Sequence, residues 1–114
     1  MLTQTDTEQG LVGTMAFLAP EVWEGEGSPD SYKQSLDIWS CGVIMYYLLS
    51  GEYPFSEPDL EDKVTSYPLE FSSSRWTGVS SQAKELIKRL LEKLPVLRPN
   101  ADECLNDPFF NTIK

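Results

Sequence analysis

From Ser35 to Ser50 (SLDIWSCGVIMYYLLS) almost every position is apolar, with no alternation of period two. This pattern predicts a helix with Ser35 as N-cap, Gly51 at the C-terminal cap and Pro54 beyond as a stop. A helix apolar on every side is expected to be buried on every side. The stretch Ser80 to Lys93 differs: Ala83, Leu86, Ile87, Leu90, Leu91 and Leu94 fall on one helical face, while Glu85 with Arg89 and Lys88 with Glu92 form i,i+4 pairs on the other. Shorter elements follow the same logic. Pro20 suits a first helical turn whose positive end Glu21 would meet, and Gly25 to Asp30 has loop composition. Pro58 to Ser66 predicts a short helix, and Tyr67 to Thr77 an irregular segment anchored by Tyr67, Phe71 and Trp76. Asn100 and Glu103 have capping-box spacing for a helix to Leu105, and Pro108 opens a last turn through Phe109 and Phe110. With no strand pattern and no internal repeat, the predicted class is all-α around one central helix.

Charge and composition narrow the chemistry. Nine Lys and Arg against eighteen Asp and Glu leave a net charge of −9 over 114 residues, a field that repels phosphate backbones and anionic membranes. No nucleic-acid or membrane partner is expected. The chain has no histidine, so His-based triads, relays and zinc sites are excluded. Cys41 and Cys104 lack Cys-x-x-Cys spacing and are expected to be free thiols, with no metal bound. Met1 to Gly10 is polar and acidic, without a signal-peptide pattern, and is expected to be mobile. The apolar run Ile38 to Leu49 is shorter than the roughly 20 residues that span a bilayer. A soluble intracellular protein of the cytoplasm is the expectation.

Three motifs then occur in a telling order: Gly13 to Glu21 (GTMAFLAPE), Asp37-Ile38-Trp39-Ser40-Cys41-Gly42, and Leu97-Arg98-Pro99, with LLSGEYPF between the second and third. In that order and at those separations they resemble the C-terminal lobe of a eukaryotic serine/threonine protein kinase, from about Gly13 to Phe110. Within that family SGEYPF, RWTGVSSQAKELIKRLLEK and LPVLRPNADECLNDPFF look most like the calcium/calmodulin-regulated and calcium-dependent kinases. The glycine-rich loop, strand lysine, His-Arg-Asp and Asp-Phe-Gly that kinases use for phosphoryl transfer are not in this sequence. The resemblance therefore implies residues 1–12 as a mobile remnant of the activation segment and residues 13–114 as a partial C-terminal lobe. It implies ATP and Mg²⁺ for the parent protein but no cofactor, no catalytic residue and no activity for this chain alone. A calcium-binding D-x-D-x-D-G loop is not present either.

The resemblance also assigns roles. Glu21 and Arg98 match the ion pair that ties the end of the activation segment to the loop before the last helices; spacing alone leaves a capping glutamate and an unrelated surface arginine. Asp37 matches the anchor of the catalytic loop, and is expected here as a buried acceptor lacking its partner. Gly13 and Thr14, with Met15, Ala16, Phe17 and Leu18, match the segment that positions the substrate; Met15 stands where proline is common. The usual phosphosite position is Gly10, which has no hydroxyl, leaving Thr3, Thr5 and Thr7 as candidate acceptors. Tyr47 stands where some basophilic kinases carry a glutamate, while Ile44 and Leu48 match supports of the adenine-side stack. Partners implied are a protein or peptide substrate, basic in keeping with the net charge, and the missing N-terminal part of the kinase. Without that part, Ile38, Val43, Met45 and Leu49 are expected to expose an apolar face and drive self-association. The rival expectation is a non-catalytic, pseudokinase-like interaction module.

Overall fold

A computed structural model describes residues 17–25 and 33–111. Thr3, Thr5, Thr7, Gly13, Thr14, Met15 and Ala16 lie outside them, as does the boundary between residues 12 and 13.

Helix α1 is Pro20–Glu24, with Pro20 at the start, where its missing N–H costs nothing, and Gly25 (φ 69°) ending it. Helix α2 is Lys33–Ser50, the long central element. It starts at Lys33, so Ser35 lies inside the helix instead of capping it, and its hydroxyl serves a distant contact described below. Burial of α2 is one-sided, which corrects the expectation drawn from its composition. Trp39, Gly42, Val43, Tyr46 and Ser50 are buried, whereas Cys41, Ile44, Tyr47, Leu48 and Leu49 are exposed. Only one stripe of an α-helix can face a given neighbour, and among the described residues the opposite stripe stays largely open, apart from the Tyr53 ring that stacks on Tyr47. The open face also differs from the one expected: Val43 is buried and Ile38 and Met45 half-buried, leaving Leu49 joined by Ile44, Tyr47 and Leu48.

The neighbour on the buried side is α4, Ser81–Leu90, capped by Ser80, whose hydroxyl accepts the Ala83 N–H at 3.1 Å. Gly42 makes the approach close. A Cβ there would lie 2.7 Å from Leu91 Cδ2 and 2.9 Å from Leu90 Cβ. The helix stops at Leu90, short of Lys93, so Leu94 leaves the apolar face and is 58% exposed. Neither expected i,i+4 pair forms. Lys88 reaches Glu85 one turn back at 3.2 Å, and Arg89 pairs with Asp107 at 2.6 Å. Arg89 is thereby used to hold α6, Pro108–Asn111, whose first turn Asp107 also caps through the Phe109 N–H at 3.0 Å.

Helix α3, Leu60–Ser66, buries Leu60 and Val64 and packs against α1. After it, Tyr46, Phe71 and Trp76 meet edge-on or tilted, with ring centroids 4.6 to 5.6 Å apart. Trp76, in the 3₁₀ turn Ser74–Trp76, is the anchor of this segment; Tyr67 is not, being 51% exposed. The Tyr46 hydroxyl donates to the Glu70 carbonyl at 2.8 Å, and burial pushes this phenol above its ordinary pKa. Helix α5, Ala101–Leu105, carries the complete capping box: Asn100 Oδ1 accepts the Glu103 N–H at 2.8 Å and Glu103 Oε1 accepts the Asn100 N–H at 3.0 Å. A second 3₁₀ turn, Pro95–Leu97, had no signal in the hydrophobic pattern. Among the described residues there is no strand, so the class is all-α, and no helix is long and apolar enough to cross a membrane.

Candidate functional site

The densest polar site is built around Arg98, which follows the Pro95–Leu97 turn. Its side chain and that of Glu21 are 0% and 4% exposed. The two face each other fork to fork: Nη1 donates to Glu21 Oε2 at 2.6 Å and Nη2 to Glu21 Oε1 at 2.7 Å. Planar guanidinium and carboxylate groups match in this bidentate geometry, which a lysine cannot reproduce. Main-chain carbonyls satisfy the remaining donors, Glu92 at 2.6 Å from Nε and Lys93 at 3.1 Å from Nη2. Ser35 completes the shell. Its Oγ accepts from Nη1 at 3.2 Å and donates to the Pro95 carbonyl at 3.4 Å. Below the guanidinium lies the Trp39 ring, 5.0 Å from Cζ, adding a desolvated cation–π contact. One side chain therefore joins α1, α2 and the loop after α4.

Ahead of α1, the chain is fixed by Phe17, half-buried, whose ring meets Tyr53 edge-on at 5.9 Å. Tyr53 in turn stacks on Tyr47 at 4.9 Å. Tyr47 is thereby engaged in an aromatic row with Tyr53 and Phe17. Leu18 is half-buried beside Phe17.

Asp37 departs from expectation twice. It is exposed, on the α2 stripe shared with Cys41, Ile44 and Leu48, and is not a buried acceptor. Because α2 begins at Lys33, Asp37 also falls beyond the first turn, where the helix dipole acts most strongly.

A second, half-buried cation was not visible in the sequence. Lys93 sends Nζ to the Val64 carbonyl at 2.7 Å, capping the end of α3, and sits 4.4 Å from the centre of the Phe55 ring. It has no carboxylate partner among the described residues. Burial without a counter-charge lowers its pKa to about 8. Nor did the pattern reveal Arg75, which donates to the Ser50 carbonyl at 3.3 Å and so caps α2, while pairing with Glu52 at 3.3 Å. Among the described residues no group of three or more acidic or cysteine side chains is arranged to hold a metal ion.

Residues 1–110 match the protein kinase domain family model. Serine/threonine-protein kinase D2 of Rattus norvegicus is 41% identical over 102 residues, covering 89% of this chain and 11% of that protein. Calcium-dependent protein kinase 15 of Oryza sativa subsp. japonica is 43% identical over 102 residues, covering 87% of this chain and 18% of the relative. Among solved structures, the twitchin kinase region from C. elegans superposes with a TM-score of 0.77 at 34% identity, over 86% of this chain and 17% of that one. The chain thus spans less than a fifth of each of these relatives. With the family model covering nearly its whole length, this chain belongs to the protein kinase domain family.

Proposed function

We propose that this chain is the substrate-side scaffold of a serine/threonine protein kinase lobe, in a parent protein that transfers the γ-phosphate of ATP to protein Ser or Thr. The observation that carries this reading is the buried Glu21–Arg98 pair, which fastens the end of the GTMAFLAPE segment to the helical body. Gly13, Thr14, Met15, Ala16, Phe17 and Leu18 then form the wall against which a substrate lies, and Asp37 projects from α2 to hold the catalytic loop of the parent. Thr3, Thr5 and Thr7 are the phosphoacceptors in the preceding segment. The calcium/calmodulin-like group is the assignment favoured by the rice relative.

Kinases of this family use ATP and Mg²⁺. The residues of this chain do not fit either group: the sequence has no phosphate-binding glycine loop and the described residues no metal-ligand cluster. No phosphoryl transfer is assigned to the chain alone. Incubated with Mg-ATP and a generic Ser/Thr peptide, the purified chain is expected to give no phosphopeptide; ATP-dependent transfer overturns the reading.

The open α2 face favours a second role as an interaction module. Ile44, Tyr47, Leu48 and Leu49 form an apolar surface suited to self-association or to the upstream part of the kinase. In-frame coding sequence for His-Arg-Asp and Asp-Phe-Gly before Met1 in the transcript supports the scaffold; a stop codon there in mature message supports the module.

A further inference from the structure

Ser56 is exposed, and its hydroxyl makes no hydrogen bond among the described residues. It lies in the loop before α3, between two buried anchors, Phe55 and Leu60. Glu57, Asp59, Glu61 and Asp62 follow it within six positions, and all four are exposed. From Gln34 to Asp62 the chain has no Lys or Arg. The next cation, Lys63, folds back onto the serine: its Nζ donates to the Ser56 carbonyl at 3.0 Å. A free hydroxyl thus stands in an anionic field with one ammonium beside it. Ser56 and Lys63 share the rim of a cavity of about 260 Å³ that Glu52 and Glu70 also line, so an anion attached to Ser56 is held at the rim and repelled from the interior. Other hydroxyls lack this setting. Ser72, Ser74 and Thr77 are exposed and without hydrogen bonds among the described residues, but no acidic residue follows any of them within six positions. Thr65 is bonded to the Glu61 carbonyl at 2.8 Å, and Ser80 is occupied in capping α4.

We infer that Ser56 is a phosphorylation site for an acidic-directed protein kinase, one whose substrate groove is lined by Lys and Arg, and that Lys63 holds the phosphate. Charge decides the class of enzyme: a cationic groove is steered to the run from Glu57 to Asp62, whereas a groove lined by carboxylates for basic substrates is repelled by it. In the step, Ser56 Oγ attacks the γ-phosphorus of ATP and the bond from that phosphorus to the bridging oxygen breaks. ADP leaves, and the hydroxyl proton passes to a base of the modifying enzyme. The product carries a further charge of about −1.5 to −2 at neutral pH. Because Ser56 faces water, no buried contact is displaced. Lys63, already at the backbone of the same residue, supplies a charge-assisted hydrogen bond to a phosphate oxygen.

The test incubates the 114-residue chain with Mg-ATP and an acidic-directed kinase of the casein-kinase type, in parallel with an arginine-directed kinase, and maps the products by trypsin and fragmentation. The first enzyme is expected to place one phosphoryl group on Ser56 in peptide 34–63, and the second none there. Glu57→Gln combined with Asp59→Asn should slow this modification at least about tenfold. Asparagine accepts the left-handed backbone of residue 59 (φ 60°), so the loss reads charge and not a changed turn. In the phosphorylated chain, a phosphorus NMR titration should give a lower second phosphate pKa than in phosphorylated Lys63→Gln; Glu52, Glu57, Asp59 and Glu70 face the site in both, so the difference isolates Lys63. Phosphate confined to peptide 1–33, where Asp6 and Glu8 give Thr5 a shorter acidic run, overturns the inference. So do equal rates at Ser56 with the two enzymes, an unchanged rate in the double variant, or titrations that coincide with and without Lys63.

Discussion

The two ends of α2 invert the usual rule of polar outside and apolar inside. Near its start, a carboxylate and a guanidinium are withdrawn from water beside Ser35 and Trp39. On the outer face of its second half, Ile44 and Leu48 are 46% and 74% exposed. The difference lies in supply of partners. Every nitrogen of Arg98 finds an oxygen, so its desolvation is compensated, while Ile44 and Leu48 on the outer stripe of α2 are left facing water. Hydropathy alone would rank these two regions the wrong way round.

The strongest way to break this comparison is to remove one partner of the ion pair. Arg98→Ala leaves Glu21 as a buried, uncompensated carboxylate together with two unsatisfied carbonyls, and is expected to cost about 3 to 5 kcal/mol. Arg98→Lys should recover little, since an ammonium cannot make the fork contact. Denaturant unfolding of the three chains decides it; equal midpoints would remove the pair from the account of the fold. Next in size is Gly42→Ala, which places a methyl within 3 Å of both Leu90 and Leu91. Overpacking of this kind costs roughly 1 to 3 kcal/mol. An unchanged melting temperature would mean that α2 and α4 can separate freely, contrary to the close contact.

These residues also divide what was legible in the sequence from what was not. Local spacing encodes local bonds, so the Asn100–Glu103 capping box, the Ser80 start and the Pro20 turn could all be anticipated from a few neighbouring positions. Motif order singled out Glu21 and Arg98, but not the Trp39 ring beneath them or the Ser35 hydroxyl beside them. Ser35 looks like an N-cap because such rules see only the next three or four residues, whereas its actual partners are 60 and 63 positions away. Arg89, Lys93 and Arg75 share that character: each is engaged by a tertiary acceptor distant in sequence. Leu94 was misjudged because α4 ends at Leu90, before that position, and Asp37 because it lies on the open stripe of α2 with Cys41, Ile44 and Leu48.

Lys93 sharpens the comparison, since it is a half-buried cation with carbonyl contacts but no counter-charge among the described residues. Its pKa falls to about 8 in the folded chain from 10.5. Below pH 8 it is charged in both states and its burial carries a constant penalty. Between pH 8 and 10.5 the unfolded chain binds the extra proton, so folded stability from this group rises with pH and then levels off. Tyr46 and Cys104 titrate nearby but are common to wild type and Lys93→Met, so they cancel in the difference between the two. The stability of the wild type relative to Lys93→Met should therefore improve from pH 8 to 10. The gain should be smaller than the Arg98 and Gly42 effects, because a half-buried amine is partly screened by solvent. A flat difference would mean that Lys93 is as well hydrated as a surface lysine.

The smallest effect on stability is expected where the sequence is most hydrophobic. Replacing both Ile44 and Leu48 by Gln removes apolar groups that already face water, so the folding free energy of the monomer should move by no more than about 0.5 kcal/mol. Association should respond instead. An exposed apolar stripe on a rigid helix favours contact with any surface that excludes water from it, so sedimentation at rising concentration should show oligomers for the wild type and a monomer for the double variant. If the variant unfolds as readily as Arg98→Ala, the stripe is part of the core and the inversion between the two ends of α2 disappears. If both chains sediment alike as monomers, the stripe is tolerated in water, and partner supply governs only the polar end of the helix.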